Sequence, residues 1–205
     1  MMTLSLTRTL LVAGVIALSG GLLIGDGARA QSGNAAAEAR AAVARAAESV
    51  TAGRPAEAVE ALREATLAVW SAAPFDLTRV EATTEVAAGF RAFTPREPGP
   101  YAAGETLHLY IEPIGLAYEF EDGVYTLGMT ADFLVLDTDG TVLGGQRNFA
   151  DVPFSFHAPS TRVYMTMSLG TERLPAGDYV IQLTVHDAVA GDTVTREVPF
   201  SVAAP

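Results

Sequence analysis

Three histidines, His108, His157 and His186, are the first candidates for chemistry in this chain. A metal site needs two or three of them to converge with carboxylates, and no pair has local ligand spacing. Asp137, Asp139 and Gly140 resemble the start of a calcium loop. The sixth position, where such a loop needs glycine, is Val142, and the twelfth, where it needs a bidentate acid, is Asn148. The segment therefore reads as a hairpin turn. Glu119, Glu121 and Asp122, with Asp132, supply carboxylates, but a hard-cation site needs about six convergent oxygens, so a solvated loop is the simpler expectation. Ser155, Ser160 and Ser168 have no nucleophile-elbow context, and no His-Glu-x-x-His motif occurs. Paired carboxylates could hydrolyse a glycoside from about 5–10 Å apart, and with 24 acidic residues such a pair would arise by coincidence.

Composition removes further chemistry. The chain has no cysteine and no lysine. Disulfides, thiolate metal sites, cysteine nucleophiles, lipoprotein anchors, Schiff-base lysines and phosphate-loop lysines are all excluded. All 13 basic residues are arginine, and the net charge is −11. Nucleic acid and anionic lipid surfaces need concentrated positive charge, so neither is expected as a partner. No catalytic residue, metal or cofactor is assigned.

What remains is recognition. Tyr110, Tyr118, Phe120 and Tyr125 lie close in sequence, interleaved with Glu112, Glu119, Glu121 and Asp122. Aromatic rings with polar tips beside acids suit a sugar or a protein partner. Strands also use Tyr and Phe as core, and at least two of the four are expected to be buried.

Positioning these residues falls to a run of short strands. Tyr179, Ile181, Leu183 and Val185 alternate with polar residues, and Val194, Val198, Phe200 and Val202 resume on one face after Gly191. That is a core hairpin. Leu107, Leu109 and Ile111 share a face, as do Val163, Met165, Met167 and Leu169. Further strands are expected over residues 86–94, 124–136 and 141–149, with a turn over 119–123. The three histidines are expected off the apolar faces, with His157 in a loop before Pro159.

Upstream, residues 34–73 are helical by composition. Asn34 is placed to cap a first helix whose stripe would be Val43, Ala46, Ala47 and Val50. Gly53 would end it and Pro55 begin a second, carrying Val59, Leu62, Val69 and Trp70 and stopping before Pro74. Residues 9–25 are uncharged and largely apolar, and Ala28 and Ala30 stand at −3 and −1 of a cleavage site that would make Gln31 the mature N-terminus. An uncleaved anchor is the alternative to this leader.

The expected organisation is a signal peptide over 1–30, a helical hairpin over 31–74 and a β-sandwich over 75–205, an α+β chain. Gly53, Ala58, Leu62 and Ala65 resemble the second half of a tetratricopeptide repeat, present once. From about Glu97 to Val202, the Gly104-Glu105 strand entry, Asp137-x-Asp-Gly140 and Leu174-Pro-x-Gly177-x-Tyr179 leading to Val185-x-Asp187 resemble immunoglobulin-like domains of bacterial exported proteins. The resemblance implies an antiparallel sandwich of seven or eight strands in a periplasmic or secreted protein. It implies a binding or interaction module for an envelope protein or a glycan, with no stable membrane insertion after cleavage. A structural spacer or a cryptic acid-dependent hydrolase is the alternative.

Overall fold

A computed structural model describes residues 26–204, with side chains from Asn34 onward. Most of the expected leader lies outside those residues, and of Ala28, Ala30 and Gln31 only the helical backbone is described. Two helices, α1 (Asp26–Thr51) and α2 (Pro55–Ala72), precede eight strands. The strands are β1 (Asp76–Thr83), β2 (Thr106–Ile114), β3 (Glu119–Glu121), β4 (Val124–Asp137), β5 (Val142–Phe156), β6 (Met165–Gly170), β7 (Gly177–Asp187) and β8 (Thr193–Val202). All pairings between these strands are antiparallel, so the chain is α+β with an N-terminal helical hairpin.

Gly53, at φ +68°, ends α1, and Pro55 begins α2. The rest of the hairpin departs from the sequence expectation. α1 is already helical at Asp26, so Asn34 is internal, and its side chain donates to Glu38. The buried seam is Ala42, Ala46 and Ser49 against Ala58, Ala61 and Ala65, while Val43, Val50, Val59, Leu62 and Val69 are exposed. Small side chains let the helix axes approach closely and leave no room for valine between them. Val43, Val50, Val59 and Leu62 each follow a seam residue by one position, about 100° further round. In antiparallel helices that rotation brings them out on the same side of the hairpin.

Trp70 is the exception. It is buried in the core of the β region, and its Nε1 donates to the Leu116 carbonyl at 2.9 Å. The adjoining Gly115 has φ +76°, and a Cβ there would meet the carbonyl oxygens of Ala73 and Pro74 at 2.6 Å. Gly115→Ala is therefore expected to lower stability by roughly 2 kcal/mol, from the left-handed backbone and the clash together. A urea midpoint unchanged by the substitution would refute that account.

β1, β2 and β6 form one sheet in that order. In the other, Ala131 of β4 pairs with Ala150 of β5 and with Val185 of β7, so β5 and β7 flank β4. Tyr125 pairs with Phe120 and Phe156, which puts β3 on the β7 side of β4, beyond the end of β7. β8 pairs with β7, leaving β5 at the edge. Leu107, Leu109 and Ile111 of one sheet and Leu127, Met129, Ile181, Leu183 and Val185 of the other fill one shared core. Arg196 of β8 reaches Asp76 of β1, tying the two sheets at that side.

Strand bounds differ from expectation in four places. Residues 86–94 form no strand; the segment folds back through a Gly89–Ala92 bridge, with Arg91 at φ +56°. The first strand lies earlier, at Asp76–Thr83, and residues 119–121 are a short strand rather than part of a turn. β5 runs on to Phe156 through a bulge, where Asp132 alone stands opposite Arg147, Asn148 and Phe149.

Candidate functional site

Three of the four predicted aromatic residues come together. The turn joining β3 to β4 is Asp122-Gly123, with φ of +50° and +82°. Positive φ at both positions is the type I′ geometry that matches strand twist, and it sets the register. Phe120, Tyr125 and Phe156 then fall in one cross-strand row, with side chains on one face. The Phe120 and Tyr125 rings lie 4.4 Å apart, Tyr118 meets Tyr125 edge-on at 6.3 Å, and Phe156 lies parallel to Phe154 at 6.1 Å.

This row is the outward end of the core face. Along β4, Tyr125 is half-buried, while Leu127 and Met129 are closed off from solvent. At the other end of the row Phe120 is 60% exposed. Tyr118 anchors the group by donating to the Ser160 carbonyl at 2.7 Å, and burial pushes its phenol up to about 12, so it stays neutral and a donor. Glu119 and Glu121 alternate with Phe120 and are exposed, as is Asp122 in the turn. A ring or an apolar side chain can stack on such a row, with Asp122 in the turn as the acid at its end, while Glu119 and Glu121 face the other side of the sheet.

Tyr110 lies elsewhere. Its alternation puts it on the outer face of β2, where the segment after β1 covers it completely. Its ring is held between Phe93 at 4.3 Å and Tyr164 at 5.4 Å, and its hydroxyl accepts from the Arg91 backbone N–H and donates to Glu112. Glu112, 5% exposed, receives the Arg91 guanidinium on both oxygens, Nε at 3.1 and 3.2 Å and one terminal nitrogen at 2.5 Å. Hydrogen bonding from Arg91 outweighs burial and holds this carboxyl below the usual range. This cluster clamps a loop onto a sheet.

The histidines take surface and loop positions. His108 Nδ1 meets Ser168 Oγ at 2.7 Å, and His157 follows β5 in an exposed bend. His186 Nε2 lies 3.0 Å from Asp132 Oδ2, while Asp132 Oδ1 accepts the Asn148 N–H at 2.7 Å. The Asn148 N–H is the main cause of a lowered Asp132 pKa, and His186 adds to it. Asp132 is thus committed to fastening the bulge and lies away from Glu119, Glu121 and Asp122. Asp137 Oδ1 accepts the N–H groups of Asp139 and Thr141, which makes 137–141 a self-contained turn. Among the described residues, no three His, Asp or Glu side chains are grouped to hold a metal ion. No helix there is long and apolar enough to cross a membrane.

Sequence reasoning missed Phe156 as a member of the row and Phe154 beside it. Their two-residue spacing was visible, but their partners lie about 30 positions away.

No protein-family model matches the sequence, and no curated protein does. Among solved structures, an endo-beta-1,4-mannanase from Thermotoga petrophila is similar at a TM-score of 0.33 and 15% identity, over 73% of this chain and 24% of that one. The chain thus spans about a quarter of that protein's length. A likeness at that level assigns neither fold nor chemistry.

Proposed function

We propose that this protein is an exported, non-catalytic binding module, periplasmic or secreted, whose two sheets make an immunoglobulin-like sandwich. Its partner is an envelope protein or a glycan, and its binding surface is the row of Phe120, Tyr125 and Phe156 with Tyr118 behind it. The observation that carries this reading is the exposure of Phe120 at the rim of an otherwise ordered aromatic stack. An exposed ring fixed by its neighbours loses little conformational freedom on binding, which is what makes aromatic anchors effective in interfaces.

Crosslinking of the tagged full chain in its native envelope, compared between wild type and Phe120→Ala, tests the proposal. Because Phe120 is largely exposed, the substitution is expected to change stability by less than about 0.5 kcal/mol. Recovery of one specific partner, or retention on one glycan, is expected to fall about tenfold, the loss of one aromatic anchor. Equal recovery by the variant would remove the row from the function.

A further inference from the structure

A second recessed surface lies at the opposite end of the β4–β5 pair, about ten residues along β4 from the aromatic row. There β4, β5 and the end of β6 border an open recess of about 420 Å³. Phe133 and Val135 of the core form the floor, Leu143 flanks it, and Leu169 and Leu174 form the facing wall. Two local features open this space. Gly144 pairs with Val135 on the inner side of β5, where a side chain would normally fill the core, and a Cβ there would meet nothing within 4 Å. Leu143 is the extra residue of a second bulge, between partners of Val135 and Leu136, and stays 49% exposed.

The cleft has a charge sense. Arg173 stands in its lining and makes no ion pair with a described carboxylate. The neighbouring Glu172 carboxylate lies where a Cβ of Gly170 would point, which by strand alternation is the face opposite Leu169. In a chain of net charge −11, an uncommitted guanidinium at the edge of an apolar recess favours an anionic head group on an apolar body. The volume falls within the ordinary range for small-molecule sites.

We propose that this cleft binds a soluble carboxylic acid with a medium-length apolar tail, the carboxylate on Arg173 and the tail over Val135 and Gly144. The inference does not rest on the aromatic row. Titration of the full chain with octanoate and with octan-1-ol, followed by amide chemical shifts, tests it. Octanoate is expected to bind saturably, shifting amides of residues 143–145 and 169–174, and to bind about tenfold tighter than the alcohol through the charge-assisted pair. Arg173→Gln is expected to abolish that preference and leave alcohol binding unchanged. Gly144→Phe should eliminate both while leaving the thermal midpoint equal or higher, because the new ring fills a void. Gly144→Val serves the same purpose should the larger ring disturb the strand. The proposal is overturned if shifts do not saturate or fall elsewhere, if acid and alcohol bind alike in the wild type, if the preference survives Arg173→Gln, or if the Gly144 substitutions leave octanoate binding unchanged.

Discussion

Trp70→Ala is expected to destabilise the protein by about 3–5 kcal/mol, the range for removing a large aromatic side chain from a core. The loss is of two kinds. The indole leaves a space among core residues of the β region, and the Leu116 carbonyl loses its buried donor, itself worth about 1 kcal/mol. The α1–α2 seam is built from Ala42, Ala46, Ser49, Ala58, Ala61 and Ala65, which bury little apolar area, so the hairpin depends on this attachment. Helical circular dichroism should then melt below the sheets, and limited proteolysis should cut within α1 and α2 first. Trp70→Phe, which keeps a ring and loses the donor, should cost much less. A single cooperative transition with an unchanged midpoint in Trp70→Ala would show that the hairpin is held by something else.

The second large effect is expected at Glu112. Replacement by alanine leaves the buried Tyr110 hydroxyl without its acceptor, at a cost of about 1–3 kcal/mol, and releases the exposed Arg91 guanidinium that ties the covering loop to the sheet. The same pair sets an acid dependence. The Glu112 carboxyl is lowered chiefly by hydrogen bonding from Arg91, and that of Glu105 chiefly by hydrogen bonding from Arg96, both from an ordinary 4.5. A folded-state pKa below the unfolded value means that the unfolded chain takes up the proton first as pH falls. The stabilisation is therefore complete above about pH 4.5 and is lost as pH falls through the lower, folded values. Chemical denaturation across this acid window should show a steeper loss in wild type than in Glu112→Ala. Parallel curves would mean that the carboxylate is not coupled to folding.

These two sites differ in how far the sequence foretold them. Trp70 was legible as the large apolar end of an amphipathic helix, though its place in the core of the β region was not. The period-two strands were plain, because Tyr179, Ile181, Leu183 and Val185 can share a face in one way only. The helix seam was misread because hydrophobicity ranks valine above alanine, whereas close helix packing ranks by size. Tyr110 obeyed its alternation and still became buried, since Phe93 and Arg91 arrive from a loop whose path no local pattern encodes. The same limit hid the place of Phe156 in the aromatic row. Phe120 to Tyr125 is a local turn, but Tyr125 to Phe156 depends on a bulge at Asn148 that shifts the register of the long hairpin.

That bulge has a consequence for the company the molecule keeps. β5 is a fifteen-residue border, long enough to act as a template for fibre growth if it were straight and fully furnished with donors. It is neither. Asn148, at φ +49°, bends it where Asp132 pins its N–H inward, and Pro153 further along has no N–H to offer an incoming chain. An edge strand tolerates that proline only where its nitrogen faces away from its partner, so the missing donor lies on the open side. Among the described residues, the longest unpaired border is thus interrupted at two points against extension by a neighbouring copy.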